Sequence, residues 1–211
     1  MEYKFLRFLG SLVCICGIFL ILFGGIKNEN NFRILSDLIQ TFLLFSLVLF
    51  ICLPDDDSLK IASYGGIIIM IYDFILETIA VYLDWWYPLG GTQFHPIIII
   101  PIEMVISFFF IGTAFFIILE IPEKIRDSDN FLLKKIKFIF KNKKFDDLWR
   151  IIFVIINAII GANGDYSAGQ NIWKPGIYWQ PIYTFFIWLS GGLIALILYK
   201  LLKKISKTRI I

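Results

Sequence analysis

Apolar residues in this chain do not alternate with polar ones. They come in long unbroken runs, at residues 8–26, 34–53, 61–83, 96–119, 148–162 and 181–202, separated by short polar or glycine- and proline-rich links. Alternation is the mark of a strand, and long continuous runs are the mark of a buried or membrane-spanning helix. At ~1.5 Å rise per residue, about 20 apolar residues cross a hydrocarbon core ~30 Å thick. Every backbone polar group in lipid must also be satisfied inside its own segment, which favours helices over open strands. The pattern therefore predicts an all-α, polytopic transmembrane bundle of about six spans, forming one integral membrane domain over residues 1–211. The run at 148–162 is the shortest and carries Asn157. The run at 8–26 is too long for a signal-peptide core and lacks an A-x-A-like cleavage site, so it is read as the first span.

Composition agrees with the pattern. The chain is 58% hydrophobic and 18% aromatic, with a mean hydropathy of +0.78. Soluble domains average about 45–50% apolar. The net charge of +3 carries no nucleic-acid signal, because the basic residues follow the spans. If both termini are cytoplasmic, all of the 20 basic residues except Lys27, Arg33 and Lys174 fall on the inner side, as the positive-inside rule requires. Within the cytoplasmic segment 129–145, Lys134, Lys137, Lys141 and Lys144 recur at helical spacing beside Leu132, Leu133, Ile136, Ile139 and Phe140. That spacing describes a basic amphipathic helix lying on anionic lipid headgroups. The alternative is a solvated connector. A prokaryotic cell membrane, crossed several times, is the expected location.

Candidate chemistry is confined to a few positions. Cys14, Cys16 and Cys52 lie inside apolar runs at no metal or disulfide spacing, and His95 has no second histidine, so neither a metal nor a cofactor is expected. Pro54 and Asp55 to Asp57, followed by Ser58, read as a turn and helix cap. The notable group is acidic. Asp73, Glu77 and Asp84 lie on one face of the third span, with Asp84 at its wet end and Glu77 roughly 10 Å inside. Glu103 on the fourth span and Asn157 on the fifth are expected at a similar depth. A charged group at a helix centre costs about 2.5–3.5 kcal/mol on insertion scales, so acids kept at depth point to function. In a dry cavity a carboxylic acid serves as a proton donor and a neighbouring carboxylate as base or relay. The competing reading is that the acids only hydrogen-bond helices together. Trp85, Trp86 and Tyr87, with Trp173, Tyr178 and Trp179, gather at the outer boundary, as an interfacial aromatic belt or as the lining of a lipid cavity. Pro101 is expected to kink the fourth span. The links 84–96 and 163–181 share Trp, Tyr, Gly and Pro, and each leads into a helix that begins with proline.

The stretch 72–110 resembles the membrane-embedded lycopene cyclase domain family. Asp73, the Trp-Trp-Tyr-Pro turn at 85–88, Gly90 and Gly91, and Pro-Ile-Glu-Met at 101–104 before a Phe-rich helix carry the resemblance. The segment from Glu77 to Val81 is similar to the Glu-containing helix of carotenoid hydratases. The cyclase pattern has a second Glu where Met104 stands. The resemblance implies redox-neutral alkene chemistry on a polyisoprenoid, by cyclisation or hydration, with Glu103, Glu77 and Asp73 as acid–base residues. Trp85, Trp86, Tyr87 and Asn157 would then contact a hydrophobic substrate. A proton- or cation-coupled transporter and an accessory membrane subunit are the alternatives.

Overall fold

The structure, a computed structural model, describes residues 29–52, 54–89, 100–127, 137, 140 and 142–208. The expected first span, Cys14, Cys16, His95, Gly90, Gly91 and most of the basic segment 129–145 lie outside the described residues.

Helices dominate. In chain order they are α1 (Glu29–Cys52), α2 (Asp56–Tyr82), α3 (Ile102–Leu119), α4 (Ile121–Asp127), α5 (Lys143–Ile172) and α6 (Pro181–Thr208). Two three-residue strands, β1 (Trp86–Pro88) after α2 and β2 (Trp173–Pro175) after α5, pair antiparallel with Tyr87 opposite Lys174. The segments Asp56–Tyr82, Ile102–Asp127 and Pro181–Ser206 are long and apolar enough to cross a membrane, and Leu38–Cys52 is a shorter apolar helix.

Local chemistry sets the helix boundaries. Asp55 caps α2, its carboxylate accepting from Ser58 N at 2.7 Å, so the Asp55–Asp57 turn is a helix start as its sequence suggests. Pro101 does not kink a span. It stands at the N-cap of α3 with extended backbone (φ −62°, ψ 141°), where its missing N–H removes no helical hydrogen bond. The chain from Asn163 to Ile172, read as an outer loop, instead continues α5 to 30 residues. Isolated Gly and Asn weaken a helix by only about 1 kcal/mol or less each, and the chain leaves helical geometry at Trp173, two residues before Pro175.

Small residues bring the helices together. Gly65 and Gly66 of α2 lie under Phe116 and Thr113 of α3, and a Cβ added at Gly66 would stand 2.9 Å from Phe109 O. Gly112 of α3 returns the contact, its Cβ position 3.2 Å from Gly66 Cα. Close backbone approach of this kind is the main packing device between helices in lipid. Gly161 of α5 leaves its space to the indole of Trp188 on α6. A core of Phe45, Leu49, Ala62, Phe116, Leu119, Val154, Ala195 and Tyr199 joins α1, α2, α3, α5 and α6. A smaller cluster of Val81, Ile100 and Met104 sits near the strands, packed by Phe74 and Trp173.

Candidate functional site

The polar residues of these apolar helices mostly satisfy themselves. Ser46, Thr78, Ser107 and Thr113 each donate to the carbonyl four residues back, at 2.7 to 2.9 Å. A carboxylate has no proton to donate in this way, so every buried acid needs a partner from elsewhere.

At the end of the bundle where α3 and α6 finish and α2 and α5 begin, the acids have such partners. Arg150, 6% exposed, donates to Leu119 O at 3.1 Å, to Glu123 at 2.8 Å and to Asp147 at 3.4 Å, and its guanidinium lies 5.1 Å from the centre of the Tyr199 ring. Arg126 pairs with buried Asp146 at 2.6 Å. Lys203 bonds Glu120 and reaches Glu123 at 3.4 Å, while Lys200 meets Asp147 at 3.0 Å. Lys124 stands 3.5 Å from Asp55.

Towards the strand end the arrangement is different. A cavity of about 60 Å³ lies between α2, α3, α5 and α6 below β1. Asp73 and Glu77 line it from α2, with Ile69 and Tyr72. Their four-residue spacing puts both on one helix face, and they are 8% and 6% exposed. Phe108, Ile111, Gly112 and Phe115 line it from α3, and Asn157 and Asp165 from α5. The lining from α6 includes Thr184, Ile187, Trp188, Gly191 and Gly192, and Trp86 closes the strand side. Among the described residues no Lys, Arg or His lines it.

Indole groups hold two of the three acids. Trp86 Nε1 donates to Glu77 Oε2 at 2.6 Å, and Trp188 Nε1 donates to Asp165 Oδ2 at 2.6 Å. The Trp86 ring is fixed by Trp173, whose centre is 5.8 Å away in an edge-on contact, and so by the strand pair. Tyr72 bonds Ser190 at 2.8 Å, tying α2 to α6 beside the cavity. Asp73 has no hydrogen bond or ion pair with any described residue.

Of the residues named from the sequence, the structure therefore brings together Asp73, Glu77, Trp86 and Asn157. Trp85 stacks on Tyr183 with ring centres 4.9 Å apart, and Tyr87 bonds Asp84; neither lines the cavity. Glu103 is in the first turn of α3, half-buried, and is not among the lining residues. Its expected depth assumed a helix from residue 96, whereas α3 begins at Ile102. Met104 is 4% exposed and packs with Val81 and Ile100, an apolar role in keeping with its side chain. Asp165, Trp188 and Thr184 were not anticipated. The Asp165 signal was an acid eight residues before Trp173, obscured by reading its surroundings as loop.

The architecture is that of a helical membrane protein with a small acidic and aromatic cavity between its helices. Compared with protein-family models, with curated proteins and with solved structures, the chain matches none.

Proposed function

We propose that this is a multi-pass protein of a prokaryotic cell membrane, with six spans, both termini and the ionic end on the cytoplasmic side, that performs acid–base chemistry on the unsaturated end of a polyisoprenoid. The observation that carries the reading is the pair Asp73 and Glu77, both buried and both on one cavity that, among the described residues, no Lys, Arg or His lines. Acids at such depth are costly and mark functional sites by default.

The chemistry balances without a redox partner. A carboxylic acid O–H protonates the alkene, leaving a carboxylate and a tertiary carbocation. For cyclisation, a second double bond of the same chain attacks the cation, its π pair forming the ring C–C bond and moving the positive charge. A second carboxylate then takes a proton from the carbon beside the new cation. Without ring closure the same proton loss shifts the double bond, and for hydration the carboxylate takes a proton from a water that adds to the cation. Glu77, held by the Trp86 N–H, and Asp73 are the two carboxyl groups of α2 that line the cavity. Tyr72, Phe108 and Trp188 present aromatic rings to the cavity, and ring faces stabilise positive charge nearby. A volume of about 60 Å³ fits a chain end rather than a whole chain, so the remainder would lie in the bilayer against the helices.

This assignment makes Asp73 and Glu77 the acid–base pair, leaves Glu103 as a control, and gives Asn157 and Trp86 contact with substrate. The test is the lipid extract of cells expressing the protein beside cells expressing Asp73→Asn, Glu77→Gln or Glu103→Gln. An isoprenoid product present in the first, absent in Asp73→Asn and Glu77→Gln, and retained in Glu103→Gln is the expected pattern. Identical extracts from all four would remove the enzymatic reading.

A further inference from the structure

Asp73 differs from the acids of the ionic end. It is 8% exposed, lines the cavity, and makes no hydrogen bond or ion pair with any described residue. The two acids that share the cavity, Glu77 and Asp165, each accept an indole N–H, but an indole is neutral and cancels no charge. A buried polar group without a partner costs free energy, and a buried unpaired charge costs much more. The same chain supplies Lys or Arg to each of Glu120, Glu123, Asp146 and Asp147 at the ionic end. Among the described residues, no Lys, Arg or His lines the cavity to meet Asp73.

The lining says which kind of partner fits. Trp86, Trp188, Tyr72 and Phe108 surround the acids with aromatic surface. Aromatic faces beside a carboxylate are the usual surroundings for an organic ammonium group, which can shed water against ring faces as a metal cation does not. A divalent ion needs several oxygen ligands at once, and no metal-holding group of three His, Cys, Asp or Glu is present among the described residues. The cavity has room for an ammonium head and part of its alkyl stem, with Ile111 and Ile187 available to the tail.

We propose that this cavity binds a membrane-soluble alkylammonium compound, with Asp73 as the ion-pair partner of its –NH₃⁺ head. The proposal concerns binding and stands independently of any reaction on an isoprenoid. Tyr72, Glu77 and Asp165 are the other titratable groups facing the head, and all are neutral or negative.

Trp86 and Trp188 line the cavity, so their fluorescence reports occupancy in purified protein in detergent. Titration with n-hexylammonium chloride should give a saturable change, 1-hexanol should give a response at least tenfold weaker, and sodium chloride at matched ionic strength should give none. Asp73→Asn, checked by size-exclusion chromatography and far-UV circular dichroism, should weaken n-hexylammonium binding at least tenfold. Asp165→Asn, which keeps Asp73, should weaken it less. Equal response to hexanol, saturable response to sodium instead of ammonium, or undiminished binding in Asp73→Asn would each overturn the proposal. The wild-type comparison of ammonium, alcohol and sodium decides the matter even if Asp73→Asn does not fold.

Discussion

At one end of the bundle Glu120, Glu123, Asp146 and Asp147 all meet Lys or Arg; at the other, Glu77 and Asp165 each accept an indole N–H, and among the described residues no Lys, Arg or His lines the cavity they share with Asp73. Only α5 carries acids of both sets. The contrast separates two uses of an acid. Matched to cations that reach from different helices, it fixes where α3, α4, α5 and α6 end relative to one another. Facing a cavity, it takes a neutral indole N–H, as Glu77 and Asp165 do, or no hydrogen bond from a described residue, as with Asp73. If that division is right, removing a partner at the ionic end should damage the fold, and removing an acid at the cavity should damage only function.

The largest expected effect is at Arg150. Its guanidinium is buried and joins α3, α4 and α5 through Leu119 O, Glu123 and Asp147. Arg150→Met keeps the length of the stem but takes the side-chain donor from Leu119 O and leaves Glu123 to Lys203 and Tyr199 and Asp147 to Lys200. Breaking a buried ion pair from one side costs about 3–5 kcal/mol. Thermal unfolding in detergent should show a drop of many degrees, and much of the protein should fail to reach the membrane. A variant of near wild-type Tm would mean that this network is ornamental and the contrast between the ends false.

Trp86→Phe comes next and tests the cavity end from the side of its donors. It removes the N–H held by Glu77 while keeping an aromatic ring against Trp173. Leaving a buried acceptor unsatisfied costs about 1–3 kcal/mol, less than the loss of Arg150. Asp73→Asn should go the other way. Relieving an uncompensated buried acid raises stability by on the order of 1 kcal/mol, the pattern expected where a site is held strained for function. A fall in Tm of several degrees for Asp73→Asn would reveal a structural partner and sink the division just drawn.

Much of the helical scaffold was legible in the sequence, because a run of apolar residues is a local signal and lipid or core burial acts on it locally. The cap at Asp55 was legible for the same reason, since Asp55 and Ser58 are three residues apart. Tertiary context hid three things. The extension of α5 through Gly161, Gly164 and Gly169 runs against intrinsic propensity, and Trp188 filling the space over Gly161 shows packing at work there. The strands β1 and β2 are too short to show periodicity and exist through pairing across more than 80 residues. Half of the cavity was legible: Asp73 and Glu77 share a face because the helical period says so, and Asn157 was placed at their depth. Asp165 and Trp188 were missed because their bond joins α5 to α6 across a segment taken for loop. Glu103 was overvalued because a helix counted from residue 96 buries it more deeply than one that starts at Ile102.

The smallest effect is the pH dependence contributed by the ionic end. At Asp147 the hydrogen bond from Lys200, aided by the charges of Lys200 and Arg150, outweighs burial and holds the carboxyl below its usual range. At Asp55 burial pushes the carboxyl up, but the Ser58 hydrogen bonds and the charge of Lys124 together outweigh it, and the result is again a lowered value. A group whose pKa falls on folding binds fewer protons folded than unfolded, so stability rises with pH through that window. The contribution is complete above the unfolded value, about 4, and is lost as pH falls through the lower folded value. Both side chains are largely solvent-exposed, 58% for Asp55 and 55% for Asp147, so screening keeps the effect small. Thermal unfolding in detergent should therefore change little from pH 7 to pH 5 and weaken below pH 4, with 0.5 M salt reducing the difference. The double variant Asp55→Asn, Asp147→Asn should flatten the acid limb while leaving alkylammonium binding at the cavity intact. An acid limb unchanged by both substitutions would shift the cause to other carboxylates, and altered ammonium binding would show that the two ends are coupled after all.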